Sequence, residues 1–170
     1  MERMKRNPAA WGMILGGAIA MIGSLFAWVT VTNTQSGNET RVTAFDAVGT
    51  QTLFLTAVVL VLFGGAILMS SGKGRIFWAL LGLIAAGVIL AAGLMGIFAP
   101  ETLTTRFVKS QAFAGSVNGT AVPTTDQVKA AFDAGTLTAK MGLGAIFGAV
   151  GGALGVIGSV LSFAKPRQPV

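Results

Sequence analysis

Long apolar runs alternate with short polar ones along the chain. No charged residue occurs between Arg6 and Glu39, between Asp46 and Lys73, between Arg75 and Glu101, or between Lys140 and Lys165. Each gap exceeds the roughly 20 apolar residues that an α-helix needs to cross a bilayer. The pattern predicts four spans, about Ala10–Val31, Thr52–Ser70, Phe77–Ala99 and Met141–Ala164. The expected fold class is an all-α membrane protein: a four-transmembrane-helix bundle forming one integral membrane domain over residues 1–170. Outer loops at 32–51 and 100–140 would build a small extracytoplasmic cap from a β-hairpin and short helices.

In the first outer loop, Val29, Val31, Val42 and Ala44 alternate with Thr30, Thr32, Arg41 and Thr43 around Ser36-Gly37-Asn38, which reads as a hairpin. In the second, "PETLTTRFVKSQAF" suggests a short helix with Leu103 and Phe107 on one face, and Asn118-Gly119 signals a tight turn. "TTDQVKAAFDAG" reads as a capped helix, with Thr124 and Gln127 at capping-box spacing and Gly135 as the stop. The segment Thr136–Lys140 is too short and polar to suggest a buried strand. Two N-x-[ST] sequons, at Asn38 and Asn118, fall in threonine-rich loops and are read as chance.

"GLGAIFGAVGGALGVIGS", Gly142 to Ser159, holds seven glycines and no charge. A dinucleotide fingerprint would need a preceding buried strand and a later acidic residue. No acidic residue follows Asp133. Helix packing explains the glycines instead, because helices in lipid associate through small residues that let backbones approach. Gly144, Gly148 and Gly152 form one four-residue stripe, and Gly151, Gly155 and Ser159 an adjoining one. Gly12, Gly16, Ala20 and Ser24 form the matching stripe on the first span. The expected packing residues are therefore Gly12, Gly16, Ala20, Ser24, Gly144, Gly148, Gly152 and Gly155. Trp11, Trp28 and Trp78, near predicted span ends, are the expected interface anchors.

Composition narrows the function classes. Of 170 residues, 53% are hydrophobic and 11% charged, against roughly 25% charged in soluble domains. The net charge of +6 is uneven. With the amino terminus inside, Arg3, Lys5, Arg6, Lys73, Arg75, Lys165 and Arg167 face the cytoplasm against Glu2 alone. The outer loops balance Arg41, Arg106, Lys109, Lys129 and Lys140 with Glu39, Asp46, Glu101, Asp126 and Asp133. All the excess lies on one side, as the positive-inside rule requires. This places both termini in the cytoplasm and makes nucleic acid a poor partner. A cleavage-like "AIA" at Ala18–Ala20 competes with a retained anchor, and the apolar run on to Val31 favours the anchor.

Cysteine, histidine and tyrosine are all absent. With them go disulfides, thiolate chemistry and the commonest metal ligand and proton-transfer residue. No predicted span contains an ionisable residue, the usual mark of a membrane enzyme or ion-coupled transporter. Asp126 and Asp133, seven apart on one helix, lie about 10 Å from each other, too far for a catalytic pair. The expectation is no catalytic residue, no cofactor and no metal.

The layout resembles small bacterial four-span membrane proteins of actinobacterial type and, more distantly, the claudin-like tetraspan arrangement. The resemblance rests on a long first span, "GSLFAW" (Gly23–Trp28) leading into a β-like outer loop, a tight inner turn and a second outer loop. It implies a scaffold or accessory subunit of a larger membrane complex in the bacterial cell membrane. The expected partners are membrane lipid and either further copies or a larger membrane protein complex. The alternative is a small oligomeric pore or permeation-altering protein built through the glycine faces.

Overall fold

The computed structural model of the chain describes residues 7–43, 51–106, 108 and 123–164. The elements are α1 (Pro8–Ser24), β1 (Ala27–Asn33), β2 (Glu39–Thr43), α2 (Gln51–Met69), α3 (Lys73–Phe98), a short helix α4 over residues 100–106, α5 (Thr125–Asp133), β3 (Leu137–Met141) and α6 (Leu143–Phe163). The Asn118-Gly119 turn, Phe107, Ala44 and the basic residues of both ends lie outside the described residues.

The expected four-span bundle requires correction. Two helices, α3 with 26 residues and α6 with 21, are long and apolar enough to cross a membrane. The other two apolar helices are shorter, Pro8–Ser24 and Leu53–Met69. A helix rises about 1.5 Å per residue, so the 17 residues of α1 extend about 26 Å, short of the roughly 30 Å hydrocarbon core. The first apolar run continues to Val31, but from Ala27 it is a strand and not helix. Uncharged residues suit either state, and the β-branched alternation of Val29, Thr30, Val31 and Thr32 favours the strand. α1 and α2 therefore pack beside the two spanning-length helices as shorter partners.

The protein is also not all-α. Its sheet has three antiparallel strands in the order β2-β1-β3. β1 pairs with β2 through Val29↔Val42 and Val31↔Thr40, and with β3 through Val29↔Met141 and Val31↔Ala139. The hairpin turn is held by Asn33, whose Oδ1 accepts from the amides of Gln35 and Ser36, and by Gly37 at φ 71°. β3 comes from the segment that sequence reasoning judged too polar for a strand. At the sheet edge it needs only one apolar face, and Thr34 ties it in by donating from Oγ1 to the Gly135 carbonyl at 2.9 Å.

Local signals set several boundaries. Asn7 caps α1 by accepting from the Ala10 amide, with Pro8 at the first helical position. α5 has the full capping box: the Thr124 hydroxyl accepts from the Gln127 amide, and Gln127 Oε1 accepts from the Thr124 amide at 2.8 Å. Gly135, at φ 68°, turns the chain after α5 into β3. α6 is joined to the sheet directly, since the Gly142 amide donates to the Trp28 carbonyl at 2.9 Å.

Two cores result. The first lies between the helices and contains Ala10, Met13, Ala57, Leu60, Ala86 and Ile89. The second joins the sheet to the end of α3 and the start of α6, through Trp28, Val29, Leu103 and Ala145. The helix core is made mostly of small residues, so backbone distance is critical. A Cβ at Gly151 would stand 2.5 Å from the Gly16 carbonyl oxygen, whereas one at Gly87 would meet nothing within 4 Å. Overpacking costs about 1–3 kcal/mol, so Gly151→Ala is expected to lower the melting temperature of the purified protein and Gly87→Ala to leave it unchanged. Equal melting temperatures for the two variants would contradict this packing.

Candidate functional site

α6 packs closely against α1 and α3, with α2 lying against those two, and the glycines of α6 divide by neighbour. Gly151, Gly155 and Gly158 approach α1: a Cβ at Gly16 would lie 2.7 Å from the Gly155 nitrogen, and one at Gly12 3.0 Å from the Gly158 Cα. Ala20 is 2% exposed and lies under Gly151. Ser24 is buried, and its hydroxyl donates to the Ala20 carbonyl at 2.9 Å within its own helix. On the other side, Gly152 faces the backbone of Leu90 in α3, and Gly155 also lies against Ala86 and Leu60. Gly16 is thus brought to Gly151 and Gly155, while Gly148 meets the indole of Trp28.

Trp28 sits differently from the interface anchor that its position suggested. It is 1% exposed. Side chains at Gly144 and Gly148 would collide with its ring, at 2.6 Å from Cδ1 and 2.9 Å from Cζ3 respectively. The two glycines form the wall of a slot for the indole. Its Nε1 is buried with no hydrogen-bond partner among the described residues; an unpaired buried donor costs about 1–3 kcal/mol. The ring therefore stays for its shape and apolar area. Trp11 is 44% exposed, and Trp78 is half-buried between Phe63 and Phe77, with ring centroids 5.5 and 5.2 Å away.

Several close approaches were not singled out from sequence. Gly93 and Gly82 of α3 and Gly17 and Gly64 at the α1–α2 contact are as confined as the expected residues. Gly82 lies against the Met13 thioether, and a Cβ at Gly64 would stand 3.0 Å from the Ala10 carbonyl. None of these four has another glycine four residues away, so they gave no stripe to notice.

Polar chemistry is concentrated elsewhere, in a cleft of about 390 Å³ between α4 and α5. α4 contributes Glu101, Thr105 and Arg106; α5 contributes Lys129 and Asp133, with Phe132 as the apolar part of the wall. The α5 residues follow from helical spacing, since 125, 129, 132 and 133 share one face. α4 is placed by Leu103 and Thr104, which are 4% exposed and face inward. The Thr104 hydroxyl donates to the Pro100 carbonyl and that of Thr105 to the Glu101 carbonyl, both at 2.8 Å. The cleft joins two carboxylates to a guanidinium and an ammonium, and among the described residues none of the four forms an ion pair. Nor do three metal-ligating side chains converge among the described residues.

No protein-family model matches this chain, and no curated protein or solved structure matches it.

The burial of Trp28 is directly measurable by fluorescence. In variants retaining one tryptophan at a time, Trp28 is expected to emit furthest to the blue and to resist acrylamide, while Trp11 is quenched in detergent. Equal quenching of the two would contradict the slot formed by Gly144 and Gly148.

Proposed function

We propose that the chain is a non-catalytic integral membrane protein, seated in lipid through α3 and α6, that serves as a scaffold or accessory subunit of a larger membrane complex. The observation that carries this reading is the inverted distribution of side-chain size. α3 buries Ala79, Gly82, Ala85, Ala86, Gly93 and Gly96, with Ile89 as the large side chain among them, and exposes Leu80, Ile84, Val88, Leu94 and Phe98. α6 buries Gly144, Gly148, Gly151, Gly152, Gly155 and Gly158 and exposes Val150, Ile157, Val160 and Leu161. A monomeric soluble protein rarely leaves a contiguous apolar surface beyond a few hundred Å² open to water. Lipid reverses the preference: large side chains meet the acyl chains, and small ones let helices close on each other.

The charge distribution supports one orientation. Lys73 and Arg75 open α3, and the chain continues from Phe163 of α6 into Lys165 and Arg167. The start of α1 lies at the same end, because Ala9 adjoins Gly158, and the preceding sequence holds Arg3, Lys5 and Arg6. This basic end faces the cytoplasm with both termini. The sheet, α4 and α5 then stand outside and form the recognition surface.

The scaffold role also accords with the resemblance to actinobacterial-type accessory proteins. The glycine faces that a small pore would use to oligomerise are occupied within the chain, so the pore reading gains nothing here. Partners would instead meet the cap.

Because the chain has no cysteine, single cysteines report sidedness cleanly. A membrane-impermeant thiol reagent on intact cells is expected to label Asp133→Cys and to spare Lys73→Cys until the membrane is opened. Labelling of position 73 in intact cells would overturn the orientation. Removing either protein from membranes by alkaline extraction would overturn the integral placement.

A further inference from the structure

We propose that the cleft between α4 and α5 binds a phospholipid head group that joins a primary ammonium to a phosphate, as phosphoethanolamine does. The inference rests on the membrane placement proposed above.

The charge inventory selects this chemistry. Glu101 and Asp133 line the cleft with Arg106 and Lys129, two charges of each sign. A lone phosphate would meet two carboxylates, and a lone cation a guanidinium and an ammonium. A zwitterion satisfies both. Among the described residues the four side chains form no ion pair with one another, so a ligand need not break an existing bridge. Lys129 precedes Asp133 by four residues, the less favourable order for an intrahelical pair, which leaves both available to a third group.

Each part of the head group has a counterpart. The Arg106 guanidinium presents paired N–H donors that match a phosphate bidentately, and Lys129 adds a mobile positive charge. The carboxylates of Glu101 and Asp133 accept hydrogen bonds from the N–H groups of a primary ammonium. A quaternary ammonium has no N–H and is held by aromatic cages; Phe132 is the lone aromatic side chain in the wall, so choline fits poorly. The cleft volume of about 390 Å³ falls within the roughly 300–1,000 Å³ of small-ligand sites.

Position selects the lipid as the source. α3 ends at Phe98, which is 81% exposed, and α4 begins at residue 100. With α3 crossing the hydrocarbon, the cleft opens within a few residues of its outer end, at the depth of the head groups.

The test uses the full chain in detergent doped with equal amounts of phosphatidylethanolamine, phosphatidylglycerol and phosphatidylcholine, with retained lipid read by native mass spectrometry. Phosphatidylethanolamine is expected to be retained over each of the others by about tenfold, the ratio that 1.4 kcal/mol of selective binding gives. The exposed pairs E101Q/D133N and R106Q/K129Q should each abolish the preference without changing the circular dichroism spectrum. K140Q, in β3 and outside the cleft, should keep it. Equal retention of phosphatidylethanolamine and phosphatidylglycerol, or a preference surviving both double variants, would overturn the site. Displacement by free O-phosphoethanolamine would show that the soluble head group suffices; failure to displace would show that the anchored lipid is required. Either result accompanying the expected selectivity upholds the recognition chemistry. Alkaline extraction of the source membranes separates the two levels of failure. A chain found in the soluble fraction contradicts the membrane placement, and a membrane-bound chain without lipid selectivity contradicts the cleft alone.

Discussion

The structure depends on how closely α6 can approach its neighbours. Gly151, Gly155 and Gly158 bring its backbone against α1, and Gly152 brings it against α3. At these distances the helices touch through backbone atoms, and the attraction is the sum of many dispersion contacts of about 0.1–0.2 kcal/mol each. Hydrogen bonds contribute little to the seam. The Ser24, Ser159 and Ser162 hydroxyls all donate to carbonyls of their own helices four residues back. Interhelical bonds in membranes average only about 0.6 kcal/mol in any case. Packing therefore carries the association, and glycine has no substitute at its closest points.

The same closeness links the helices to the cap. α6 begins where β3 ends, Gly142 donates to the Trp28 carbonyl, and the Trp28 ring fills the slot formed by Gly144 and Gly148. The sheet is thereby fixed to the helix that packs against both α1 and α3. Leu103 brings α4 into that same core, which sets the α4 wall of the charged cleft. Widening the seam at Gly148 would thus be felt at the sheet, although no residue of the sheet had changed.

What the sequence made legible was mainly local. The Thr124–Gln127 capping box, the Gly135 stop and the turn at Gly37 each depend on a few adjacent residues and are found in place. The small-residue stripes were visible because close helix packing selects small side chains, but the neighbours of each stripe were not. A helix with glycine on several sides offers close approach in several directions, and only the fold assigns Gly151 to α1, Gly152 to α3 and Gly148 to Trp28. The end of α1 was misplaced because an uncharged run does not distinguish helix from strand; the alternation after Trp28 did. β3 went unseen because its partner strand, β1, lies about a hundred residues away in the chain. The cleft is of the same kind: α4 and α5 are each readable, and their facing is not.

The most direct measurement is the proton–proton Overhauser effect between glycine Hα atoms in protein labelled at glycine and held in detergent micelles. Close approach of α1 and α6 predicts cross-peaks linking Gly12 to Gly158 and Gly16 to Gly155, present when labelled protein is diluted into an unlabelled excess. Absence of these cross-peaks in a folded sample, or their loss on dilution as contacts between separate copies, would contradict the account.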